Sequence, residues 1–246
     1  MKYLDEDVVK IKFSFKNEKN VNIEIKLLST ENILKNLNNS YIVQYFMDST
    51  YKIVPNVGEY KVLITLLGYN AKLNSFVQCC YELITEETKE AYSKFLYLLK
   101  INYGFAPKYI TLDFSKDEEK AVLEVFENTE IIFCFFHLVK CWWNKLNKLG
   151  LRNKYFKNLS KSLVFNLKLL AFTKRDDVQL FYNDIKISNL YNDNKFSEFF
   201  KYVDKQWINN NKFTKWNYYD VLSDLKKSNN QSYNVEKNDF DRIISL

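Results

Sequence analysis

Residues 109–122 read Tyr109-Ile110-Thr111-Leu112-Asp113-Phe114-Ser115-Lys116-Asp117-Glu118-Glu119-Lys120-Ala121-Val122. A short β-type run, opened by Pro107, ends in an aspartate, and a helix signature follows at once. Ser115 and Glu118 have the spacing of a capping box, and Ala121, Val122, Val125 and Phe126 supply a helical apolar stripe. The arrangement occurs upstream as well: Tyr41 to Met47 reads as a largely buried strand running into Asp48-Ser49-Thr50-Tyr51-Lys52. Read singly, Asp48 is an ordinary turn residue and Asp113 a helix-entry residue. Read together, they are two carboxylates at strand ends. Such pairs hold divalent cations for phosphodiester chemistry, because Mg²⁺ is hard and takes oxygen ligands.

Working outward, Val9, Ile11, Phe13 and Phe15 alternate with polar residues, as do Val21, Ile23, Ile25 and Leu27. This predicts a β-hairpin with one apolar face. A short helix is expected over residues 30–37. Strands are expected over 60–67 and 75–84, with a turn around Gly68-Tyr69-Asn70. Thr85 is the expected cap of the next helix, with Glu86 and Glu87 in its first turn and Ala91, Phe95, Leu98 and Leu99 as its stripe. Ile131 to Phe136 reads as another strand. It runs into a helix with Leu138, Cys141, Trp142, Leu146 and Leu149 on one face, closed by Gly150. After Gly150 the pattern is helical throughout, with Leu163–Phe172, Val178–Ile185 and the set Phe196, Phe199, Phe200, Val203 and Trp207. Further helical stretches are expected over 221–225 and 236–244.

Composition narrows the class. The 246 residues include 17% aromatics but four glycines and two prolines, which excludes a low-complexity chain. The net charge of +6 permits a nucleic-acid partner without requiring one. Cys79, Cys80, Cys134 and Cys141 form no disulfide framework, so a reducing, intracellular compartment is expected. No apolar run reaches membrane-spanning length, and no membrane partner is expected.

Three strands, a helix, a strand, a helix, a strand and then helices is the element order of an RNase H-like fold. The expected class is therefore α/β: a mixed sheet with flanking helices and an all-helical region towards the C-terminus. In such a sheet the first and fourth strands lie side by side, and an aspartate from each can share metal ions.

Several ordered pieces resemble the Mutator-like element (MULE) transposase domain. They are Asp48-Ser49-Thr50, then Ile110 to Asp113 with Ala121, then Cys134-Phe135-Phe136-His137, then Trp142 to Leu151. Leu170-Ala171-Phe172, Phe200-Lys201-Tyr202 with Trp207-Ile208, Trp216-Asn217 and Asn229-Asn230 continue the series. The resemblance implies a DDE-type catalytic core using Mg²⁺ or Mn²⁺ for DNA strand cleavage and transfer. It implies DNA partners (transposon ends and target), a nuclear location and, because two DNA ends must be paired, a homodimer. Its domains would be a hairpin and short helix over 1–40, a core over 41–150, a helical insertion over 151–220 and a C-terminal core helix over 221–246. A separate reader of terminal repeats is expected on another chain or missing.

Asp48 and Asp113 match the first two acids and would bind the metal. At the third, Tyr233 stands where the family has glutamate, and a neutral phenol is a poor Mg²⁺ ligand. Glu236, three residues on, is the substitute candidate for the catalytic set, with a solvated surface charge as its plainer reading. The alternative function is a catalytically inactive, domesticated DNA-binding protein; a ribonuclease of the same fold is a third reading, opposed by the helical region. His137 with Cys134 offers two zinc ligands where structural sites take four, so a half-buried histidine closing the sheet is the expectation. Lys140, Lys145, Lys148 and Arg152, with Trp143 on the outer side of its helix, are the candidate DNA contacts, against a solvated lysine-rich face.

Overall fold

The computed structural model describes residues 8–51, 54 and 59–229. Contacts divide the chain into two compact units, residues 1–131 and residues 132 onward.

The alternating N-terminal segments pair as predicted. Strands β1 (Val8–Lys16) and β2 (Asn22–Thr30) form an antiparallel hairpin. Its turn is held by the Asn17 side chain, whose Oδ1 accepts from the Lys19 and Val21 amides at 3.0 and 2.9 Å. Ile23, Ile25 and Leu27 are fully buried, which explains the period-two pattern. The short helix α1 spans Glu31–Lys35 and is capped by Thr30.

Strands β3 (Ile42–Thr50), β4 (Val62–Asn70) and β5 (Ser75–Ile84) form an antiparallel meander. Two sequence expectations shift here. Asp48 lies inside β3 and not just past its end, and Gly68-Tyr69-Asn70 is strand, with the turn falling at residues 71–74. Gly68 serves a close approach: a Cβ there would meet Ile42 Cγ2 at 2.8 Å. Helix α2 (Lys89–Tyr103) starts later than expected. Thr88, not Thr85, caps it, because the Thr85 hydroxyl accepts from the Glu24 amide at 3.0 Å and so ties the loop to β2. Ala91, Phe95 and Leu99 are buried as the stripe requires, joined by Tyr92 and Leu96.

Strand β6 (Tyr109–Leu112) pairs in parallel with β3, and helix α3 (Lys116–Val125) follows. Strand β7 (Glu130–Phe133) completes a seven-stranded sheet of order β1-β2-β5-β4-β3-β6-β7. The order β5-β4-β3-β6-β7 is compatible with an RNase H-like fold. The first hairpin adds two strands at the β5 edge.

Unit 2 is helical. It contains α4 (Phe135–Lys148), α5 (Lys157–Leu170), α6 (Arg175–Ile187), α7 (Asn194–Val203) and α8 (Tyr219–Asn229). The strand expected to reach Phe136 ends at Phe133. Cys134 is the N-terminal flanking residue of α4, so His137 sits in a helical first turn. Phe196, Phe199, Phe200 and Val203 are buried along α7. Trp207 is half-buried, because a π-helical turn over Asp204–Ile208 breaks the 3.6 period before it. Trp142 and Trp216 meet edge to face at 6.0 Å in the core, and Gly150 takes the left-handed φ of 70° that ends this part of the chain's helical run.

Candidate active site

Strand pairing decides where the two acids stand. Tyr45 lies beside Ile110 and Phe46 beside Thr111. The registered pairs stop there, and each acid lies two residues further on, Asp48 within β3 and Asp113 one residue past β6. Gln44 Nε2 donates to Thr111 Oγ1 at 2.6 Å, so positions 44 and 111 project to the same side, which position 48 shares with 44 by strand alternation. Asp48 is exposed and Asp113 half-exposed, and Asp113 Oδ1 accepts from the Phe114 amide at 2.6 Å. Across the antiparallel ladder, Asp48 pairs with Thr65 and Thr65 with Tyr81, and Tyr81 is exposed.

The opposite face carries a polar cluster that the sequence does not announce. Ser49, next to Asp48, points the other way. Its Oγ donates to Glu118 Oε1 at 2.8 Å and lies 3.0 Å from the Tyr92 hydroxyl. Tyr92 also donates to Glu87 Oε1 at 2.7 Å, and the Tyr51 hydroxyl donates to Glu87 Oε2. Glu118 is 1% exposed, and its Oε2 is buried without a hydrogen-bond partner. Burial pushes its carboxyl up to about 7; the Asp113 charge adds to the rise and the Ser49 hydrogen bond opposes it.

The capping-box reading of Glu118 is therefore half right. Ser115 Oγ accepts from the Glu118 amide at 3.4 Å, but the Glu118 side chain turns inward to Ser49 and not back to the helix start. A buried glutamate and a surface cap look the same in sequence, and only the position of Ser49 separates them.

Carboxylate oxygens on neighbouring strand ends suit Mg²⁺ or Mn²⁺, which need one or two such ligands alongside water and phosphate oxygens. Among the described residues no group of three or more His, Cys, Asp or Glu side chains is placed to hold a metal ion. Cys134 and His137 are both half-buried at the start of α4. Tyr233 and Glu236, the positions weighed for the third acid, lie outside the described residues.

The candidate DNA contacts fall on and just after α4. Lys140, Lys148 and Arg152 are exposed, and Trp143 and Lys145 are half-buried. Phe136, Lys140, Asn144 and Lys148 follow at intervals of four and form one exposed stripe. The Arg152 guanidinium lies 5.4 Å from the Trp143 ring centroid, and Lys145 Nζ lies 5.5 Å from that of Tyr202. No acidic residue occurs between Glu130 and Asp176.

Residues 44–141 match the family model described as MULE transposase domain. The match begins within β3, before Asp48, and ends in α4, so both acids fall inside it. No curated protein matches the chain. Among the described residues no helix is long and apolar enough to cross a membrane.

Proposed function

We propose that the chain is a DDE-type transposase core in which Asp48 and Asp113 act as a metal-binding acid pair for DNA strand cleavage and strand transfer. The observation that supports this reading is the parallel β3–β6 pairing of Tyr45 with Ile110 and Phe46 with Thr111, two residues before each acid, inside the segment that matches the family model. Asp48 and Asp113 would hold Mg²⁺ or Mn²⁺ from rigid strands, since a ligand displaced by about 1 Å costs on the order of a hundredfold in rate. When bound, the cation lowers the pKa of the attacking water and offsets charge on the leaving oxygen. The α4 stripe of Lys140 and Lys148, with Arg152 beyond it, would neutralise phosphates of the bound DNA. Glu236 is the proposed third acid, with Tyr233 at the position where the family places glutamate.

The test is nicking of duplex DNA carrying transposon-end sequence with Mg²⁺ or Mn²⁺. Asp48→Asn and Asp113→Asn should each reduce the rate by about a hundredfold or more while leaving DNA binding in place. Wild-type protein that nicks nothing with either cation, or variants as active as wild type, would defeat the reading. Loss of nicking in Glu236→Ala would add Glu236 to the acid set, and full activity there would remove it.

A further inference from the structure

We propose that Glu118 is a positioning residue for the acid pair: from the buried face of the sheet it ties the strand that carries Asp48 to the element that carries Asp113, through Ser49. The proposal rests on the reading of Asp48 and Asp113 as metal ligands.

The backbone ladder leaves room for such a tie. Registered pairing between β3 and β6 covers Tyr45 with Ile110 and Phe46 with Thr111, two residues before each acid. A side-chain bridge beyond those pairs adds a further link between the two segments. Glu118 lies in the first turn of α3, the helix that starts immediately after Asp113 and its capping Ser115. Its bond to Ser49 Oγ at 2.8 Å therefore closes a bridge between the two acid-bearing segments. Because Ser49 and Asp48 are consecutive in an extended strand, their side chains leave on opposite faces. The bridge fixes the backbone at Asp48 without occupying its carboxylate.

A second clamp acts on the same segment. Tyr92 on α2 reaches Ser49 at 3.0 Å and Glu87 at 2.7 Å, and Glu87 accepts from Tyr51. Residues 49 and 51 are thus held from below on either side of Thr50. The bonding at Glu118 is not what packing alone would select. A carboxyl that is 1% exposed keeps a burial cost that Ser49 and Tyr92 only partly offset, and an apolar side chain of similar size removes that cost. A cost retained beside the acid pair is the mark of a positioning role.

The experiment compares Glu118→Leu, Glu118→Gln and Ser49→Ala with wild type, reading Mn²⁺ affinity of the DNA-free protein by titration calorimetry alongside thermal melts. Glu118→Leu should melt no lower than wild type yet bind Mn²⁺ about tenfold more weakly, and Ser49→Ala should weaken binding similarly. Glu118→Gln, whose amide oxygen still accepts from Ser49, should stay within about threefold of wild type. A residue that only packs would shift the melting temperature and leave the Mn²⁺ affinity alone, and that pattern overturns the proposal. If Glu118→Leu does not fold, Ser49→Ala decides by the same reading. Asp48→Asn separates the two ideas. If wild type binds no Mn²⁺, or binds it regardless of Asp48→Asn, the metal-pair reading fails. Amide hydrogen exchange at Ser49 and Thr50 then judges the bridge itself: faster exchange in Glu118→Leu supports it, and unchanged exchange overturns it.

Discussion

Glu82 stands on β5 fully buried, with neither carboxylate oxygen hydrogen-bonded. It pairs with Ile64 on one side and Leu27 on the other, in the cross-strand row that also contains Ser49. Burial drives its carboxyl well above the ordinary range. Glu118, the other buried acid of this face, is raised from 4.5 to about 7. Both shifts have the same sign. The folded chain keeps protons that the unfolded chain gives up near 4.5, so stability falls as pH rises from there. For Glu118 the fall ends near 7, and for Glu82 it continues higher. Glu82→Leu should therefore stabilise the protein at neutral pH by roughly 1–3 kcal/mol and flatten the decline with pH. Thermal melts at a series of pH values check this; a variant less stable than wild type, or with the same pH slope, would show that Glu82 has a partner in solution. Cys79 and Cys80 are buried in the same strand, with the Cys79 thiol pushed up to about 12 by burial, and are inert thiols.

At the level of elements, the ordered pieces of the helical region come together through one side chain. Asn217 is fully buried, and its Nδ2 donates to the carbonyls of Leu170 and Thr173 at 2.9 and 2.8 Å, while its Oδ1 accepts from the Tyr219 amide at 3.1 Å. It thereby satisfies the end of α5 and starts α8. Tyr218 beside it accepts from the Phe135 amide and donates to the Phe133 carbonyl, at 3.2 and 3.0 Å, and so joins the start of α4 to the same junction. The pieces Leu170-Ala171-Phe172 and Trp216-Asn217, noted in sequence for their order, are thus a structural joint. Asn217→Ala removes the donor to the Thr173 carbonyl and one of two donors to that of Leu170, and should cost about 1–3 kcal/mol. Urea unfolding measures it, and a loss below about 0.5 kcal/mol would mean that water replaces the amide.

Over the whole molecule, charge is divided unevenly. Unit 1 carries more acidic than basic residues, and unit 2 the reverse. The acid-free run from Ile131 to Arg175 contains the whole α4 stripe, which suits contact with a phosphate backbone. DNA binding should weaken steeply with salt. Lys140→Ala with Lys148→Ala should lower the slope of log affinity against log salt by about 0.9 for each phosphate contact removed. Fluorescence anisotropy over a salt series measures this, and an unchanged slope would take α4 out of the DNA interface. Much of this organisation is legible in sequence, because period-two and period-3.6 patterns record which face of an element is buried. The first hairpin, β5, β6, α3 and the Leu138–Trp142–Leu146 face of α4 follow those patterns. The displaced features are local ambiguities. Gly68 looks like a turn residue until Ile42 fills the space its missing Cβ leaves. Thr85 looks like a cap until β2 claims its hydroxyl. Trp207 fits a helical stripe until a π turn intervenes.

Sequence alone determined the α/β class and the family resemblance, since each depends on residue type and local spacing. Tertiary structure alone decided that β3 and β6 pair in parallel just before Asp48 and Asp113, and that Glu118 turns inward to Ser49. Those facts come from pairing between segments some 65 residues apart, and no local pattern encodes the alignment of one strand against another.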